Sequence, residues 1–200
     1  MCGLTAIIDL RGGVPLRQCI SRMTDTLVHR GPDDDGYLVE ENIALGFRRL
    51  SILDLDQTGH QPMTSLDGQM TIVFNGEIYN YIELRQQLES RGHRFRSTGD
   101  TEVLLNAYRE WGEDCLSKLN GMWAFLVLDR SRDTIFGSRD RFGIKPLFVH
   151  RSGTAVLLAS EIKAIRASGL YETRIDWSTA ADFLLRQRLD ESERSFFVDI

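Results

Sequence analysis

The feature that most constrains the fold is an uninterrupted apolar run, Met122-Trp-Ala-Phe-Leu-Val-Leu128. A strand with one face in water alternates apolar and polar residues, whereas this run has no polar residue on either face. We therefore predict a strand over residues 122–128 that is covered on both faces. Such a strand requires further layers of sheet or helix around it.

Other elements follow from apolar patterns and turn residues. Short apolar runs that end at turn residues predict strands over 4–10, 43–47, 70–74, 134–137, 147–150 and 155–159. Helical spacing and capping residues predict helices over 16–27, 80–91, 101–111, 161–167 and 176–188. Asn80 and Glu83 resemble a capping box at the start of the second helix. The three aspartates and the glycine of 33–36 predict a loop.

The order of these elements predicts the fold class. Several strands are adjacent in sequence and the helices fall in two groups, so a regular strand–helix alternation is missing. This order favours an α+β domain with antiparallel sheets over a doubly wound parallel sheet. The length of 200 residues fits one large domain or two small ones, and allows a sizeable core.

Charge, cysteine usage and hydropathy exclude several classes of protein. The chain has 24 Lys+Arg against 29 Asp+Glu, so no basic excess favours nucleic acid as a partner. Cys2, Cys19 and Cys115 are widely spaced, which excludes a disulfide framework and indicates a reducing, cytoplasmic location. No apolar run reaches the roughly 18 residues of a membrane span, and we expect that the N-terminal residues are not a secretory signal, since they have no basic leader and no long apolar stretch. Cys19 is expected to be a core residue, and Cys115 has no predicted role.

Cys2 is a candidate nucleophile. A small residue at position two usually permits removal of the initiator Met1, which would give Cys2 a free α-amine beside its thiol. Free α-amines have a pKa of about 7.7–8.0 and free thiols one of about 8.5, so the amine can take the thiol proton near neutral pH. The alternative is that Cys2 merely follows the start codon.

Three further positions each allow two interpretations. Asn75-Gly76 offers two donors for an oxyanion, but it is also typical of a hairpin turn, which spacing alone favours. Arg49 can clamp a carboxylate or belong to a surface arginine pair. Asp100 can bind an ammonium group or cap the following helix.

Metal and phosphate sites are not predicted. The aspartates of 33–35 favour a solvated turn, and the four histidines lack the spacing of zinc ligands. Neither GxxxxGK[ST] nor GxGxxG occurs. We therefore expect no metal and no cofactor in this chain.

Several segments in order resemble one family, the class II glutamine amidotransferases. They are Met1-Cys-Gly3, His29-Arg-Gly-Pro-Asp33 with Gly36, Arg49-Leu-Ser-Ile52, Phe74-Asn-Gly-Glu-Ile-Tyr-Asn80 and Gly99-Asp100. Within this class the sequence is most similar to glutamine-hydrolysing asparagine synthetases. The segments that carry this similarity are Gly121-Met-Trp-Ala-Phe125, Arg139-Asp-Arg-Phe-Gly-Ile-Lys-Pro-Leu147 and Ala159-Ser-Glu-Ile-Lys-Ala164.

The resemblance implies catalytic roles in the hydrolysis of L-glutamine. Cys2 would attack the side-chain amide, and its own α-amine would act as the general base. Asn75 and the Gly76 N–H would stabilise the tetrahedral oxyanion. A thioester would form, ammonia would leave, and water would release glutamate.

The resemblance also implies how the substrate is held. Arg49 would bind the α-carboxylate of glutamine, and Asp100 with the backbone of Glu77 would bind its α-ammonium group. Four residues would shape the pocket: Leu50, Ser51, Ile52 and Leu53.

The fold implied by the resemblance is the N-terminal nucleophile hydrolase fold, a four-layer α/β/β/α sandwich of two antiparallel sheets. Residues 1–175 would form this amidotransferase domain, and 176–200 would begin a truncated synthetase domain or a linker. In the family, the synthetase domain binds ATP and Mg2+ through a Ser-Gly-Gly-x-Asp-Ser loop and amidates aspartate. No such loop occurs in these 200 residues. We therefore expect a fragment of a longer chain, favoured by its apolar end, or a protein whose synthetase partner is separate. A homodimer is also expected.

Alternatives to this function stay open. The same glutaminase can serve a synthetase-like enzyme with another acceptor, in natural-product or cell-envelope amidation. Class II enzymes that make glucosamine phosphate or phosphoribosylamine are disfavoured by the 139–147 segment. A non-catalytic structural domain is disfavoured because it would be free to lose Cys2, Asn75 or Asp100.

Overall fold

The computed structural model describes residues 1–52, 56–187 and 194–200. The strands are β1 (Gly3–Asp9), β2 (Asp34–Val39), β3 (Ile43–Arg49), β4 (Met63–Thr64), β5 (Met70–Ile78), β6 (Gly121–Asp129), β7 (Thr134–Arg139), β8 (Phe148–Arg151) and β9 (Ala155–Ala159). The helices are α1 (Leu16–Asp25), α2 (Tyr81–Ser90), α3 (Asp100–Trp111), α4 (Cys115–Lys118), α5 (Ile162–Ala167) and α6 (Trp177–Arg186). Short 3-10 helices lie at Gln57–Gly59 and Gly112–Asp114.

Within the described ranges the strands form two sheets, and their pairings are antiparallel. The first sheet has the order β2-β3-β1-β9-β8, and the second has the order β4-β5-β6-β7. This topology confirms the predicted α+β class with antiparallel sheets.

Three apolar clusters separate the four layers of the molecule. One cluster joins α1 and α5 to the outer face of the first sheet, through residues such as Ile20, Met23, Leu157 and Ile165. A second lies between the two sheets and includes Leu4, Phe47, Val73 and Leu126. The third joins α2 and α3 to the outer face of the second sheet, through Leu88, Leu104, Ile72 and Phe125. The predicted α/β/β/α sandwich is therefore confirmed.

Strand β6 is buried on both faces, as its apolar run predicts. Alternate side chains of a strand point to opposite faces. Trp123, Phe125 and Val127 accordingly join the cluster under the helices. Ala124, Leu126 and Leu128 join the cluster between the sheets.

The predicted loop over 33–36 is wrong, because Asp34 begins strand β2. The strand lies at the edge of its sheet, where charged side chains reach water. In its register with β3, Asp34 lies opposite Arg49 and Asp35 lies opposite Arg48. A salt bridge of 3.5 Å joins Arg48 Nη1 to Asp35 Oδ1, so opposite charges on neighbouring strands stabilise the pairing.

The hairpin interpretation of Asn75-Gly76 is also wrong. Both residues lie inside β5, opposite Ala124 and Trp123 of β6. The two strands pair over nine consecutive positions, and this pairing outweighs the local turn preference. A Cβ atom on Gly76 would lie 2.3 Å from the carbonyl oxygen of Met122, so the close approach of β6 requires glycine here.

The predicted capping box at α2 does not form. Asn80 precedes the helix, but its side chain makes no capping hydrogen bond. Instead its Nδ2 donates to the Lys118 carbonyl at 2.9 Å, and its Oδ1 accepts from the Asn120 N–H at 3.0 Å. Tertiary partners that the local pattern cannot reveal therefore occupy this side chain.

The remaining predicted helices are present with small differences in their bounds. The regular part of α1 ends at Asp25, although Leu27 beyond it is fully buried. Asp176 caps α6 by accepting the Thr179 N–H at 3.1 Å. The predicted end of that helix at Arg188 lies outside the described residues. No helix within the described ranges combines the length and the apolar character needed to cross a membrane.

Candidate active site

Most of the predicted site residues line one pocket of about 110 Å³. They come from four places in the fold: the start of β1, the end of β3, the middle of β5 and the first turn of α3. The pocket is lined by Cys2, Arg49, Leu50, Ile52, Asn75, Gly76, Glu77 and Asp100, together with residues that the sequence did not indicate. The two sheets thus bring segments up to about a hundred positions apart to one cavity.

Cys2 is held at both its side chain and its backbone. The Leu50 N–H donates to Cys2 Sγ at 3.4 Å, and the thiol in turn approaches the Leu50 carbonyl at 3.6 Å. Arg30 Nε donates to the Cys2 carbonyl at 2.8 Å, and Arg30 Nη1 donates to Glu161 Oε1 at 2.9 Å. Cys2 also packs against the apolar cluster between the sheets. The thiol is therefore fixed at the end of that layer.

The surroundings of Cys2 have opposing effects on the pKa of its thiol. Burial raises the pKa of the Cys2 thiol, because a thiolate loses hydration there. The Leu50 backbone hydrogen bond and the positive charges of the chain N-terminus, Arg49 and Lys145 act to lower it. A thiol with a raised pKa needs a nearby proton acceptor to become a nucleophile near neutral pH.

Asn75 presents a buried donor without a partner. The residue is 1% exposed, and its Nδ2 makes no hydrogen bond within the part of the chain that the structure describes. The side chains of Asn75 and Val73 point to the same face of β5, because the two residues lie two positions apart. That face is directed between the sheets, where Cys2 packs against the apolar cluster that includes Val73. An unsatisfied buried donor costs about 1–3 kcal/mol, so this amide is suited to receive an oxygen atom of a ligand.

The Gly76 N–H points to the same pocket by the geometry of its strand. In an antiparallel strand, successive N–H groups point to opposite edges. On the edge away from β6, the Phe74 N–H donates to Gln61 Oε1 at 2.6 Å and the Ile78 N–H donates to Asp100 Oδ2 at 2.9 Å. Gly76 lies between these two positions, so its N–H is directed to this edge, where the pocket lies.

Asp100 is a buried carboxylate at the start of α3. It is 6% exposed, and within the described residues it forms no salt bridge. Burial raises the pKa of Asp100 to about 6, and the backbone N–H groups of Ile78, Asp100 and Thr101 oppose that rise. The nearby charge of Glu77 raises the pKa further. A cation in the pocket would stabilise the ionised form.

Arg49 ends β3 and supplies a buried positive charge. It is 7% exposed, and its Nη1 donates to the Asp56 carbonyl at 3.1 Å. Its backbone is fixed by the close approach of Gly31, where a Cβ atom would lie 2.5 Å from the Arg49 nitrogen. The pocket therefore offers a guanidinium group and a carboxylate in one cavity.

The other residues expected to shape the pocket are placed differently. Leu50 and Ile52 line it, although Ile52 is 70% exposed. Ser51 does not line it; its N–H donates to Asp33 Oδ2 at 2.8 Å, beside a shallow neighbouring depression. Leu53 lies outside the described residues.

The residues that line the pocket but were not predicted as site residues include two with long polar side chains, Gln61 and Lys145. Gln61 is 5% exposed and joins β5 to α3, because its Nε2 donates to the Phe74 carbonyl and to Thr101 Oγ1, both at 3.3 Å. Lys145 is 6% exposed and lies in the loop after β7. No local pattern indicates Gln61, whereas Lys145 belongs to the 139–147 segment that carries the family resemblance.

No group of three or more His, Cys, Asp or Glu side chains that could hold a metal ion occurs among the described residues. The three aspartates at 33–35 each bind a different partner instead of converging on one point. Asp34 contacts His60 at 2.7 Å, and Asp35 pairs with Arg48.

Comparisons with known proteins agree on one family. The profile described as "Glutamine amidotransferase domain" matches residues 1–200. Asparagine synthetase [glutamine-hydrolyzing] 3 of Bacillus subtilis (strain 168) is 46% identical over 179 residues, which are 88% of this chain and 29% of that protein. Asparagine synthetase [glutamine-hydrolyzing] 1 of the same organism is 45% identical over 168 residues, which are 82% of this chain and 26% of that protein. This chain therefore spans less than a third of the length of these relatives.

A solved structure shares the fold. Glutamine phosphoribosylpyrophosphate amidotransferase from B. subtilis, complexed with ADP and GMP, superposes with a TM-score of 0.70 at 24% identity. The superposition covers 84% of this chain and 44% of that chain. The two-sheet sandwich is thus shared with an amidotransferase.

The burial of Asp100 predicts a pH-dependent stability. Its pKa is about 6 in the folded chain and about 3.9 in an unfolded one, so the folded chain binds the extra proton between these values. The stability that this proton provides is present at pH 4 and is lost as the pH rises through 6. We compare the free energy of unfolding of Asp100→Asn with that of the natural chain, measured by urea unfolding. We expect the difference, variant minus natural chain, to increase by about 2–3 kcal/mol from pH 4 to 6.5.

The variant Asp114→Asn, which removes an exposed carboxylate, is the matched control. A stability difference between Asp100→Asn and the natural chain that stays constant from pH 4 to 6.5 would contradict the assignment.

Proposed function

Since this chain belongs to the glutamine amidotransferase domain family and is homologous to the glutaminase part of asparagine synthetases, we propose that Cys2 hydrolyses L-glutamine to glutamate and ammonia. The observation that carries this proposal is the buried Nδ2 of Asn75, which has no partner among the described residues and lines the same pocket as the Cys2 thiol. Acyl transfer requires a nucleophile and a hydrogen-bond donor for the oxyanion in the same pocket, and the Cys2 thiol and Asn75 Nδ2 can supply them.

The first half of the proposed reaction forms a thioester. After removal of Met1, the α-amine of Cys2 takes the proton from Sγ, and Sγ forms a bond to the amide carbon of the glutamine side chain. The carbonyl oxygen becomes an oxyanion that accepts hydrogen bonds from Asn75 Nδ2 and the Gly76 N–H. The α-ammonium then returns the proton to the leaving nitrogen, the C–N bond breaks, and ammonia departs.

The second half regenerates the enzyme. The α-amine takes a proton from water as its oxygen attacks the thioester carbon, and the same donors stabilise the second oxyanion. The C–S bond breaks, the proton returns to Sγ, and glutamate leaves. Each proton thus moves between groups at the N-terminal residue and the substrate.

The charges in the pocket support glutamine as the substrate. Glutamine carries one carboxylate and one ammonium group at its α-carbon, and the pocket lining includes Arg49 and Asp100, whose charges are opposite to theirs. We assign the α-carboxylate to Arg49, because guanidinium binds carboxylate with two parallel hydrogen bonds. We assign the α-ammonium to Asp100 and the Glu77 carbonyl. Leu50 and Ile52 would contact the remainder of the ligand.

We further propose that the ammonia serves the ATP-dependent amidation of aspartate by a synthetase domain outside these 200 residues, in cis or in trans. The names of the relatives and the small share of their length that this chain spans support this proposal. Residues 1–175 would then be the amidotransferase domain, and residues 176–200 would begin the synthetase domain or a linker. Trp177, Leu184 and Leu185 of α6 are 73%, 78% and 82% exposed, which supports a protein partner on that helix.

The residues of this chain do not fit ATP and Mg2+. No Ser-Gly-Gly-x-Asp-Ser segment occurs in the sequence, and no glutaminase step passes through a nucleotide. We place the protein in the reducing cytoplasm, where the Cys2 thiol stays free, and a homodimer is compatible with the family. The described chain has Cys2, Cys19 and Cys115 as free thiols.

Removal of the nucleophile should abolish hydrolysis. We expect Cys2→Ala to lower glutamate release from glutamine by about 10³-fold or more, because the thioester cannot form. Alanine at position two is also small, so removal of Met1 should persist, and intact-mass measurement checks it. The matched control is Cys115→Ala, which removes a thiol buried under the helices. Glutamate release by Cys2→Ala at the natural rate would overturn the mechanism.

Loss of the Asn75 amide should act on kcat. We expect Asn75→Ala to lower kcat about 10²–10³-fold, because one oxyanion donor is lost. The KM for glutamine should change little, since the donor acts chiefly on the transition state. The control is Asn42→Ala, in the exposed turn before β3. A raised KM with an unchanged kcat would instead assign Asn75 to substrate binding.

The acceptor is tested in the complete synthetase. The full-length protein, or this chain with its separate synthetase partner, is given glutamine, aspartate and ATP. We expect asparagine to form, and Cys2→Ala should support asparagine formation only with added ammonia. Glutamate release without asparagine would reject aspartate as the acceptor and leave the glutaminase proposal standing.

A further inference from the structure

A lysine that forms no side-chain hydrogen bond or salt bridge with the described residues lies in the wall of the candidate active site. Lys145 is 6% exposed and lines the same pocket as Cys2. Within the described ranges, no hydrogen bond or salt bridge involves its Nζ atom. An ammonium group in the wall of a pocket, with no side-chain counter-ion, can stabilise a negative charge that forms in that pocket.

The backbone around Lys145 is held rigidly. The carboxylate of Asp140 accepts the N–H groups of Phe142, Ile144 and Lys145 at 3.1, 2.9 and 2.9 Å. It also accepts the N–H of Trp123 at 3.2 Å. Arg139 Nε donates to the Lys145 carbonyl at 3.0 Å.

This loop is tied to the strand that carries the oxyanion donors. Trp123 belongs to β6 and lies opposite Gly76 in the register with β5. The Asp140 carboxylate therefore binds the backbone N–H groups of both Lys145 and Trp123. Since Trp123 pairs with Gly76, this carboxylate links the Lys145 backbone to the strand position that carries Gly76. Lys145 is consequently placed by the same framework that places the donors.

We propose that Lys145 is a positioning residue for the nucleophile: the ammonium group of Lys145 stabilises the anionic sulfur of Cys2. This proposal rests on the glutaminase function proposed above. In this step the proton leaves Sγ for the α-amine nitrogen, and the sulfur carries the negative charge until its bond to the amide carbon forms. Lys145 neither gains nor loses a proton. Its contribution is a fixed positive charge in the pocket wall.

Besides Lys145, other charged groups surround Cys2. They are the N-terminal amine, Arg49 at the end of β3, Glu77 of β5 and Asp100 of α3, with Arg30 and Glu161 behind the Cys2 carbonyl. The α-carboxylate and α-ammonium groups of bound glutamine would compensate Arg49 and Asp100. Arg30 is already paired with Glu161.

Unlike Arg49, Asp100 and Arg30, Lys145 carries a charge that is compensated neither by the proposed substrate contacts nor by a described side chain. Its positive charge lowers the pKa of the Cys2 thiol against the opposing effect of burial. The effect is the one expected of a cation near a thiol in a partly desolvated pocket.

The test compares two neutral variants with a charge-preserving one. Lys145→Met and Lys145→Gln remove the charge, Lys145→Arg keeps it, and Lys118→Met removes an exposed lysine as the matched control. Two pH profiles are measured for each: kcat/KM for glutamine, and the rate of Cys2 alkylation by iodoacetamide, located by peptide mass mapping. Circular dichroism verifies that each variant is folded.

We expect the acidic limb of both profiles to move about one pH unit upward in the neutral variants, with a roughly tenfold loss of kcat/KM at pH 7. The KM for glutamine should stay within about twofold, and Lys145→Arg and Lys118→Met should keep the natural profiles. Unmoved profiles in the folded neutral variants would overturn the proposal. A raised KM with unmoved profiles would do so as well, and would assign Lys145 to substrate binding.

The alkylation profile separates this proposal from the glutaminase function. If the natural chain fails to hydrolyse glutamine while the alkylation profile still moves in the neutral variants, the action of Lys145 on Cys2 stands and the proposed function fails. If glutamine is hydrolysed and neither profile moves, the function stands and the role of Lys145 is rejected.

Discussion

The antiparallel pairing of β5 with β6 is the constraint on which the candidate site depends. The two strands pair over nine positions, and this fixes the edge to which each N–H of β5 points. β4 covers the outer edge of β5 only as far as Thr71 and Ile72, so the rest of that edge is open. The side chain of Gln61 accepts the N–H of Phe74 on this edge, and the side chain of Asp100 accepts the N–H of Ile78. Gly76 lies between them and faces the pocket.

The second requirement is the partly buried position of Cys2 beside the apolar cluster between the sheets. Burial opposes formation of a thiolate, and it also strengthens every charge interaction that the pocket supplies. The proposed nucleophile is therefore held in a partly desolvated position, and the fixed groups around it replace part of the lost hydration. Arg30 and Glu161 secure its backbone, while the Leu50 backbone contacts its sulfur.

The pocket contains features that reduce stability. Among the described residues, Asn75 Nδ2 has no hydrogen-bond partner, Asp100 is a buried carboxylate without a salt bridge, and Lys145 is 6% exposed with no ion-pair partner. Each such feature is unfavourable by itself, and the three apolar clusters of the sandwich offset them. Groups that are poorly satisfied in the free chain and converge on one cavity are suited to a ligand that satisfies them.

The sequence alone determined the fold class, most element positions and the family. Apolar periodicity predicted the central strand β6 and the helix α3, because burial fixes these patterns locally. It could not separate a loop from the edge strand β2, since Asp35 there is stabilised by Arg48 of β3 and Asp34 by His60, and both partners are distant in sequence. Ordered segments pointed to Cys2, Arg49, Asn75, Gly76 and Asp100 through a resemblance, whereas spacing alone favoured a turn at Asn75-Gly76.

Only the tertiary structure decided what surrounds those residues. Long-range pairing placed Asn75-Gly76 inside a strand, and occupied the Asn80 side chain with the segment before β6. It also brought Gln61 and Lys145 into the pocket wall. A residue's neighbours across two sheets depend on register and layer order, which no local stretch of sequence encodes by itself. For that reason the sequence identified the candidate reactive groups, and the packing of the sandwich determined their burial, partners and orientation.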